Sequence, residues 1–193
     1  METTVVDTCW GSRLAATQQY WHVVPTAGVN AMIFYNNVMV HKGALLSVSA
    51  GIQAEPHLQN AHTPYSFSRL NDEKEMVFEQ IRRTEFSSKP PRLKSLYLFD
   101  NYTLVERALA EWFPNERKNV HECRILIDGN CNVHKADTVW LNSQPTDWER
   151  CARNYWEGNL SDNPFPEIIV DGAIYFPAYE TIPSPASFIR HSK

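Results

Sequence analysis

A single acidic residue, Glu167, stands at the start of an apolar run in the segment "DNPFPEIIVDGAIYF". Pro164 and Pro166 stiffen the chain around it, and the β-branched residues that follow are typical of a strand that crosses a core. A carboxylate held at the end of such a strand can accept a proton or stabilise a developing positive charge. The simpler alternative is that Glu167 marks the point where the strand meets solvent, because charged side chains are mostly exposed.

A second group of residues, within "HECRILIDGNCNVH", has the types that bind zinc: His121, Cys123, Cys131 and His134. "CRILID" alternates like a strand and "DGN" is typical of a turn, so the two pairs would face each other across a hairpin. However, the familiar spacing in which a ligand pair brackets two to four residues is absent, and buried cysteine often packs as a small apolar side chain. We therefore predict no metal site.

The composition predicts one domain over residues 1–193 that folds without metal or disulfide, since the chain is long enough to bury a sizeable core. Its net charge is -4 and its four cysteines are scattered, so we expect neither a global attraction to nucleic acid nor a secreted disulfide framework. Its first residues have neither the basic start nor the apolar centre of a signal peptide, and no stretch has the roughly 20 apolar residues that a membrane span needs, so we expect neither feature. We predict a cytoplasmic protein with no membrane partner, and a poorly ordered tail over residues 183–193.

The elements that must position these residues are strands and helices in irregular order. Strands are predicted in "QYWHVVP", "LKSLYLF", "ECRILID", "TVWL" and the two runs of "EIIVDGAIYF". Helices are predicted from about Asn71 to Thr84, from a capping box at Thr103 and Glu106, and from a second capping box at Thr146 and Glu149 to a stop at Gly158. "VNAMIFYNNV" and "ALLSVSA" are ambiguous. About six or seven strands and three or four helices without regular alternation predict an α+β fold.

From about residue 20 to residue 182 the sequence resembles an uncharacterised bacterial family catalogued only as a domain of unknown function. The segments that carry this resemblance are "YWHVV", "EKEMVFEQIR", "PPRLKSLYLF", "ARNYWEG" and "PEIIVDG". More distantly, "HVVPTAGVNAMI" and "PEIIVDGAIYF" resemble the opening and closing segments of the ADP-ribosyltransferase superfamily, on the side of the poly(ADP-ribose) polymerases and the DarT-like toxins. The resemblance implies a split β-sheet with three or four flanking helices.

The same resemblance implies a chemistry for the candidate residues. NAD would be the substrate, nicotinamide would be released, and ADP-ribose would pass to a macromolecular acceptor. Glu167 would be the catalytic residue, stabilising an oxocarbenium-like state of the ribose. His22 would bind the adenosine-side ribose and Tyr97 would stack on nicotinamide. Arg92 and Arg69 would complete the NAD site, Arg92 as a planar fork on the pyrophosphate.

Two departures from the family pattern leave parts of this assignment open. His22 is not followed by the usual Gly-Thr or Ile-Thr pair, so the ribose site would have a different shape. The position two residues before Glu167 is Phe165, where transferases that modify arginine or asparagine have Glu or Gln, so a plain arginine-directed activity is not expected.

One basic stretch, "RRTEFSSKPPRLK", is relevant to the kind of acceptor. Its arginines and lysines would guide a nucleic acid along the rim of the site, or they are simply a solvated helix end whose cations favour the C-terminal dipole. A protein acceptor is the alternative. Two other functions stay open: a non-catalytic nucleotide-binding or protein-interaction module on the same fold, and an NAD glycohydrolase.

Overall fold

The computed structural model describes residues 3–69, 71–127 and 129–185, which form antiparallel sheets and helices, and the predicted α+β class is confirmed. The strands are β1 (Thr3–Thr8), β2 (Gly11–Ala16), β3 (Tyr20–Pro25), β4 (Ala44–Leu46), β5 (Leu96–Leu98), β6 (Lys118–Ile127), β7 (Asn132–Asp137), β8 (Pro166–Asp171) and β9 (Ala173–Tyr175). The helices are α1 (Gly28–Val40), α2 (Val48–Ala54), α3 (Pro64–Ser68), α4 (Glu73–Glu85), α5 (Tyr102–Trp112) and α6 (Trp148–Glu157). In these described residues no helix has the length and apolar content needed to cross a bilayer.

The chain divides into two compact units, each assembled from separated stretches. The first unit takes the chain up to Leu45, the stretch Phe99–Gly129 and the chain from Ala173 onward, and the second takes Leu46–Leu98 and Asn130–Gly172. A single domain over residues 1–193 stays a prediction. Most of the predicted tail, from residue 186 on, lies outside the described residues.

The first unit is built on a sheet with the strand order β1-β2-β6-β9-β4, and β3 also pairs with β6. The long strand β6 makes this possible, because it opposes β3 along its first half and β2 and β9 along its second half. Helix α1 buries Phe34 and Val38, and Ile174 of β9 is also fully buried. The hairpin formed by β1 and β2 was not predicted from the sequence.

The second unit is built on a three-stranded antiparallel sheet in the order β5-β8-β7. The central strand β8 is buried along almost its whole length, as its β-branched run predicted. Helices α4 and α6 pack together, and their core includes Phe78, Tyr155, Trp156 and Ile169. Trp156 Nε1 donates a 2.8 Å hydrogen bond to the carbonyl oxygen of Phe78, which joins the two helices at a buried point.

The hairpin predicted between β6 and β7 is wrong. In the structure β7 pairs with β8, with His134 opposite Ile169, while β6 belongs to the sheet of the first unit. The physical reason is that the apolar centre of β8, Ile168–Val170, is buried between two neighbouring strands, and β7 supplies one of them. The supposed turn includes residue 128, which lies outside the described residues.

Several element boundaries also differ from the prediction. "TVWL" is not a strand but a 3₁₀ helix, Thr138–Asn142, because the side chain of Asp137 accepts a hydrogen bond from Val139 N and starts a helical turn. Helix α5 is capped by Asn101 instead of Thr103, and α4 by Asp72 instead of Asn71. Strand β5 begins only at Leu96, since the residues before it form another 3₁₀ turn, Arg92–Lys94.

Candidate functional site

Tyr97 and Glu167 lie on the same face of the sheet in the second unit. Tyr97 in β5 is directly opposite Ile169 in β8, and Glu167 precedes Ile169 by two positions on the same strand. Residues that oppose each other across an antiparallel pair share a face, as do residues two apart along a strand. The structure therefore brings together two of the residues that the resemblance assigned to NAD.

The guanidinium of Arg92 is the centre around which these side chains meet. Its Nη1 donates to Glu167 Oε1 at 2.7 Å and to the hydroxyl of Tyr155 at 2.8 Å. Its Nε donates to Glu75 Oε2 at 3.1 Å, and its Nη2 donates to the hydroxyl of Tyr65. Arg92 is only 4% exposed. We call the whole group the Arg92 cluster: Tyr65, Glu75, Arg92, Tyr97, Tyr155 and Glu167.

Three phenol groups complete the hydrogen bonding of the Arg92 cluster. Tyr155 donates to Glu167 Oε1 at 2.6 Å, Tyr65 donates to Glu75 Oε1 at 2.6 Å, and Tyr97 donates to the backbone carbonyl of Arg92. The three rings also surround the guanidinium, with centroids 5.2 to 5.5 Å from its central carbon. Such contacts add a cation–π attraction to the ion pairs.

The two oxygens of Glu167 are in different situations. Oε1 accepts from both Arg92 and Tyr155. Oε2 accepts no hydrogen bond from any donor among the described residues. In those residues, the only fully buried side-chain nitrogen or oxygen atoms without a partner are His121 Nε2 and Ser161 Oγ. Glu167 Oε2 therefore keeps some contact with solvent, although the residue as a whole is only 5% exposed. Two donors hold Oε1, and Oε2 accepts no hydrogen bond from the described residues.

Burial is the largest influence on the pKa values of Glu167, Tyr97 and Tyr155. It raises the pKa of Glu167, and the Arg92 guanidinium and the Tyr155 hydroxyl offset this only in part. Burial also raises the pKa of Tyr97 and of Tyr155, so both phenols stay neutral and remain donors. Burial alone would lower the pKa of Arg92, but the surrounding phenols and carboxylates outweigh it, and the pKa of the guanidinium is raised.

An open groove of about 600 Å³ runs along helix α4 and reaches the edge of the Arg92 cluster at Glu75. Two arginines line it, Arg69 and Arg83. Arg69 is paired with Asp72, with 2.8 Å between Nη1 and Oδ2, and is itself exposed. The other lining residues are Met76, Glu79, Gln80, Thr84 and Leu93.

His22 lies in the first unit, on β3, directly opposite His121 on β6. Its ring centroid is 6.1 Å from that of Phe34 and 6.2 Å from that of Phe176. His22 is not a member of the Arg92 cluster. We still predict, as the resemblance implies, that one NAD molecule contacts His22 together with Tyr97 and Glu167.

Some basic side chains of the stretch "RRTEFSSKPPRLK" form hydrogen bonds within the protein and are not simply solvated. Arg82 binds both carboxylate oxygens of Glu79, at 2.8 and 2.7 Å, and donates to the carbonyl of Lys89 at 2.8 Å. It therefore ties the last turn of α4 to the chain that follows. Lys94 Nζ lies 3.4 Å from the carbonyl of Gln59, whereas Arg83 faces the groove.

The four residues whose types could bind zinc are divided between the two units. His121 and Cys123 lie on β6, while Cys131 and His134 belong to the second unit. Across residues 3–69, 71–127 and 129–185, no three His, Cys, Asp or Glu side chains form a group that could hold a metal ion.

Sequence reasoning missed Glu75, Tyr65 and Tyr155. For Glu75 a signal existed, because it precedes the buried Phe78 and Ile81 at intervals of three and so shares the inner face of α4. The next residue along the helix, Met76, is apolar and yet 64% exposed. Acids are common in the first turn of a helix, because they interact favourably with the helix dipole. A buried acid at this position therefore does not stand out in the sequence.

A family model described as "Protein of unknown function (DUF2441)" matches residues 52–182, more than half of the chain. The matched range contains every member of the Arg92 cluster and omits His22. No curated protein matches the chain.

Proposed function

Since the chain belongs to the DUF2441 family, whose description assigns no activity, we propose from the site itself that it is an NAD-dependent ADP-ribosyltransferase. It releases nicotinamide and transfers ADP-ribose to a macromolecular acceptor. Two antiparallel sheets in one α+β chain are compatible with the split β-sheet that we expect for an ADP-ribosyltransferase. The proposal rests on chemistry that the second unit can perform.

The observation that carries the proposal is the divided role of the two Glu167 oxygens. Arg92 and Tyr155 hold Oε1, which fixes the direction of the carboxylate, and Oε2 is left to accept a hydrogen bond from a ribose hydroxyl. A fixed negative charge at that point stabilises the oxocarbenium-like state that forms as nicotinamide departs. Nicotinamide leaves as a neutral ring and needs no general acid, so one carboxylate is sufficient.

The groove beside α4 supports a nucleotide-binding role. Its volume of about 600 Å³ is in the range of small-molecule sites. Arg69 and Arg83 are the cations available there for the pyrophosphate. Arg92 was predicted for that contact, but in the structure its guanidinium already binds two carboxylates and two phenols. We assign Arg92 instead to positioning Glu167.

The test is to incubate the full chain with NAD labelled in the adenosine part, together with cell lysate, and to follow label in protein and in nucleic acid. Glu167→Gln keeps the size of the side chain and removes its charge, so it should lower nicotinamide release by about a hundredfold or more. NAD binding should be nearly unchanged. Glu73→Gln is the matched control, since Glu73 is an exposed acid of the same unit. Turnover of Glu167→Gln within a few-fold of the parent would remove the catalytic assignment.

A second function, a non-catalytic nucleotide-binding module, is favoured by the burial of Glu167 and by its ion pair with Arg92. The same experiment separates the two, because a module binds NAD without releasing nicotinamide. An NAD glycohydrolase would release nicotinamide and leave label in neither protein nor nucleic acid.

A further inference from the structure

A thiol and an imidazole meet at the surface of the first unit. Cys9 Sγ lies 2.9 Å from His41 Nδ1, and the two residues come from different elements. Cys9 and Trp10 form the two-residue turn between β1 and β2. Thr8 Oγ1 accepts from Trp10 N at 3.2 Å and donates to the Gly11 carbonyl at 2.9 Å, which fixes this turn.

His41 is held in place from two sides. It follows the last residue of α1, and its backbone N–H donates to the Asn37 carbonyl at 3.0 Å. The Trp10 ring stacks on the imidazole, with centroids 4.7 Å apart and an angle of 24° between the planes. The stacking holds the imidazole beside the turn that carries Cys9.

The other cysteines have different surroundings. Cys123 and Cys151 are buried, and burial raises the pKa of the Cys123 thiol. Cys131 is half-buried. Cys9 is exposed and has an imidazole nitrogen within hydrogen-bond distance. Reactive cysteines combine access with a neighbouring base or cation.

We propose that Cys9 is a modification site that takes low-molecular-weight disulfides and forms a mixed disulfide. His41 Nδ1 accepts the proton of the Cys9 thiol, and the resulting thiolate attacks one sulfur of the disulfide. A new bond forms to that sulfur, the original sulfur–sulfur bond breaks, and the departing thiolate takes the proton from the imidazolium. Cys9 is oxidised, and the released half of the disulfide is reduced.

The experiment uses the reduced full chain and excess oxidised glutathione at neutral pH, with acid quenching, intact mass and peptide mapping. We expect one glutathione on Cys9 before any on Cys131. His41→Gln and His41→Phe should each slow the Cys9 reaction by about tenfold or more, because both lack the proton acceptor. The rate at Cys131 should not change.

His41→Phe keeps a ring against Trp10 and His41→Gln keeps a polar side chain, so a packing effect would not slow both alike. His57→Gln, which changes an exposed histidine of the other unit, is the control and should react like the parent. If either His41 variant that remains folded modifies Cys9 within twofold of the parental rate, or if Cys131 reacts first, the proposal is overturned. Should both variants unfold, Trp10→Ala keeps both reacting groups and removes the stacking ring, and an unchanged rate would equally overturn it.

Discussion

Arg92 Nη1 and Glu167 Oε1 form a 2.7 Å ion pair in which both side chains are almost completely buried. Glu75 is a second buried carboxylate on the same guanidinium. One cation therefore serves two acids, and the three phenols of the Arg92 cluster supply the remaining hydrogen bonds. The acid proposed to act on NAD is thus also part of the internal structure of its unit.

Replacing Arg92, the cation that Glu75 and Glu167 share, should lower the stability of the second unit. Arg92→Met keeps an apolar stem of similar length but leaves Glu75 and Glu167 buried without a counter-charge. Removing one partner of a buried pair costs about 3 to 5 kcal/mol, so we expect a loss of that size in the free energy of unfolding, measured with urea. Arg150→Met is the matched control, because Arg150 is an exposed arginine paired with Asp147. Equal stability of the two variants would contradict the structural role of Arg92.

Two tyrosines of the Arg92 cluster allow catalysis to be separated from stability. Tyr155→Phe removes the hydroxyl that holds Glu167 Oε1, whereas Tyr65→Phe removes the one on Glu75. Each variant leaves an acceptor short of one donor, so we expect each to lose about 1 to 3 kcal/mol of stability.

Only Tyr155→Phe should also lower nicotinamide release per folded molecule, by about tenfold, because a less firmly held carboxylate is worse aligned with the ribose. The measurement is turnover at saturating NAD below the unfolding transition. An equal fall in turnover for Tyr65→Phe would mean that the effect is general to the cluster.

The groove arginines should control nucleotide binding. Arg69→Ala combined with Arg83→Ala removes both cations that line the groove and should weaken NAD binding at least about tenfold, since charge-assisted bonds to phosphate are lost. Calorimetry on the folded variant measures this, and Arg13→Ala, an exposed arginine of β2, serves as control. If the acceptor is nucleic acid, Arg83→Ala should also lower its salt dependence by a slope of roughly one. Unchanged NAD binding would show that the nucleotide does not bind in the groove.

The strand that carries Glu167 could be predicted from sequence because its signal is local. Pro164 and Pro166 precede a β-branched run, and together these features predict both where β8 begins and that it is buried. The same local reasoning placed Tyr97 on a strand, and register then brought it to the face of Glu167. The shared face is a consequence of pairing, which a single sequence does not display.

The pairing errors have the same origin. "CRILID" and "NCNVH" satisfy the local rules for a hairpin, but β8 is a buried strand with an apolar centre, and β7 pairs with it. "TVWL" has the composition of a strand and forms a 3₁₀ helix, because the preceding Asp137 caps it. Likewise, the contact of Arg92 with Glu75 depends on packing between α4 and the chain before β5, and no spacing rule predicts it.

Asp137 should make stability depend on pH through the loop that leads to Glu167. It is completely buried and accepts hydrogen bonds from the backbone N–H groups of Ser161 at 2.8 Å, Phe165 at 2.9 Å and Val139 at 3.1 Å. Burial alone would raise the pKa of this carboxyl, but these bonds outweigh it and the pKa is lowered. A carboxyl whose pKa is lower in the folded state stabilises the protein above its unfolded-state pKa. That contribution is lost as the pH falls through the folded value.

Asp137→Asn replaces one acceptor oxygen by a donor that faces the backbone N–H groups, so we expect a loss of about 1 to 3 kcal/mol at neutral pH. The difference from the parent should shrink as the pH falls, because the parental aspartate becomes protonated and loses the same advantage. Urea unfolding at several pH values between neutrality and the acid range measures this convergence. Asp162→Asn is the matched control, since Asp162 is exposed in the same loop. A difference that stays constant down to the acid limit would show that the charge of Asp137 does not hold the approach to β8.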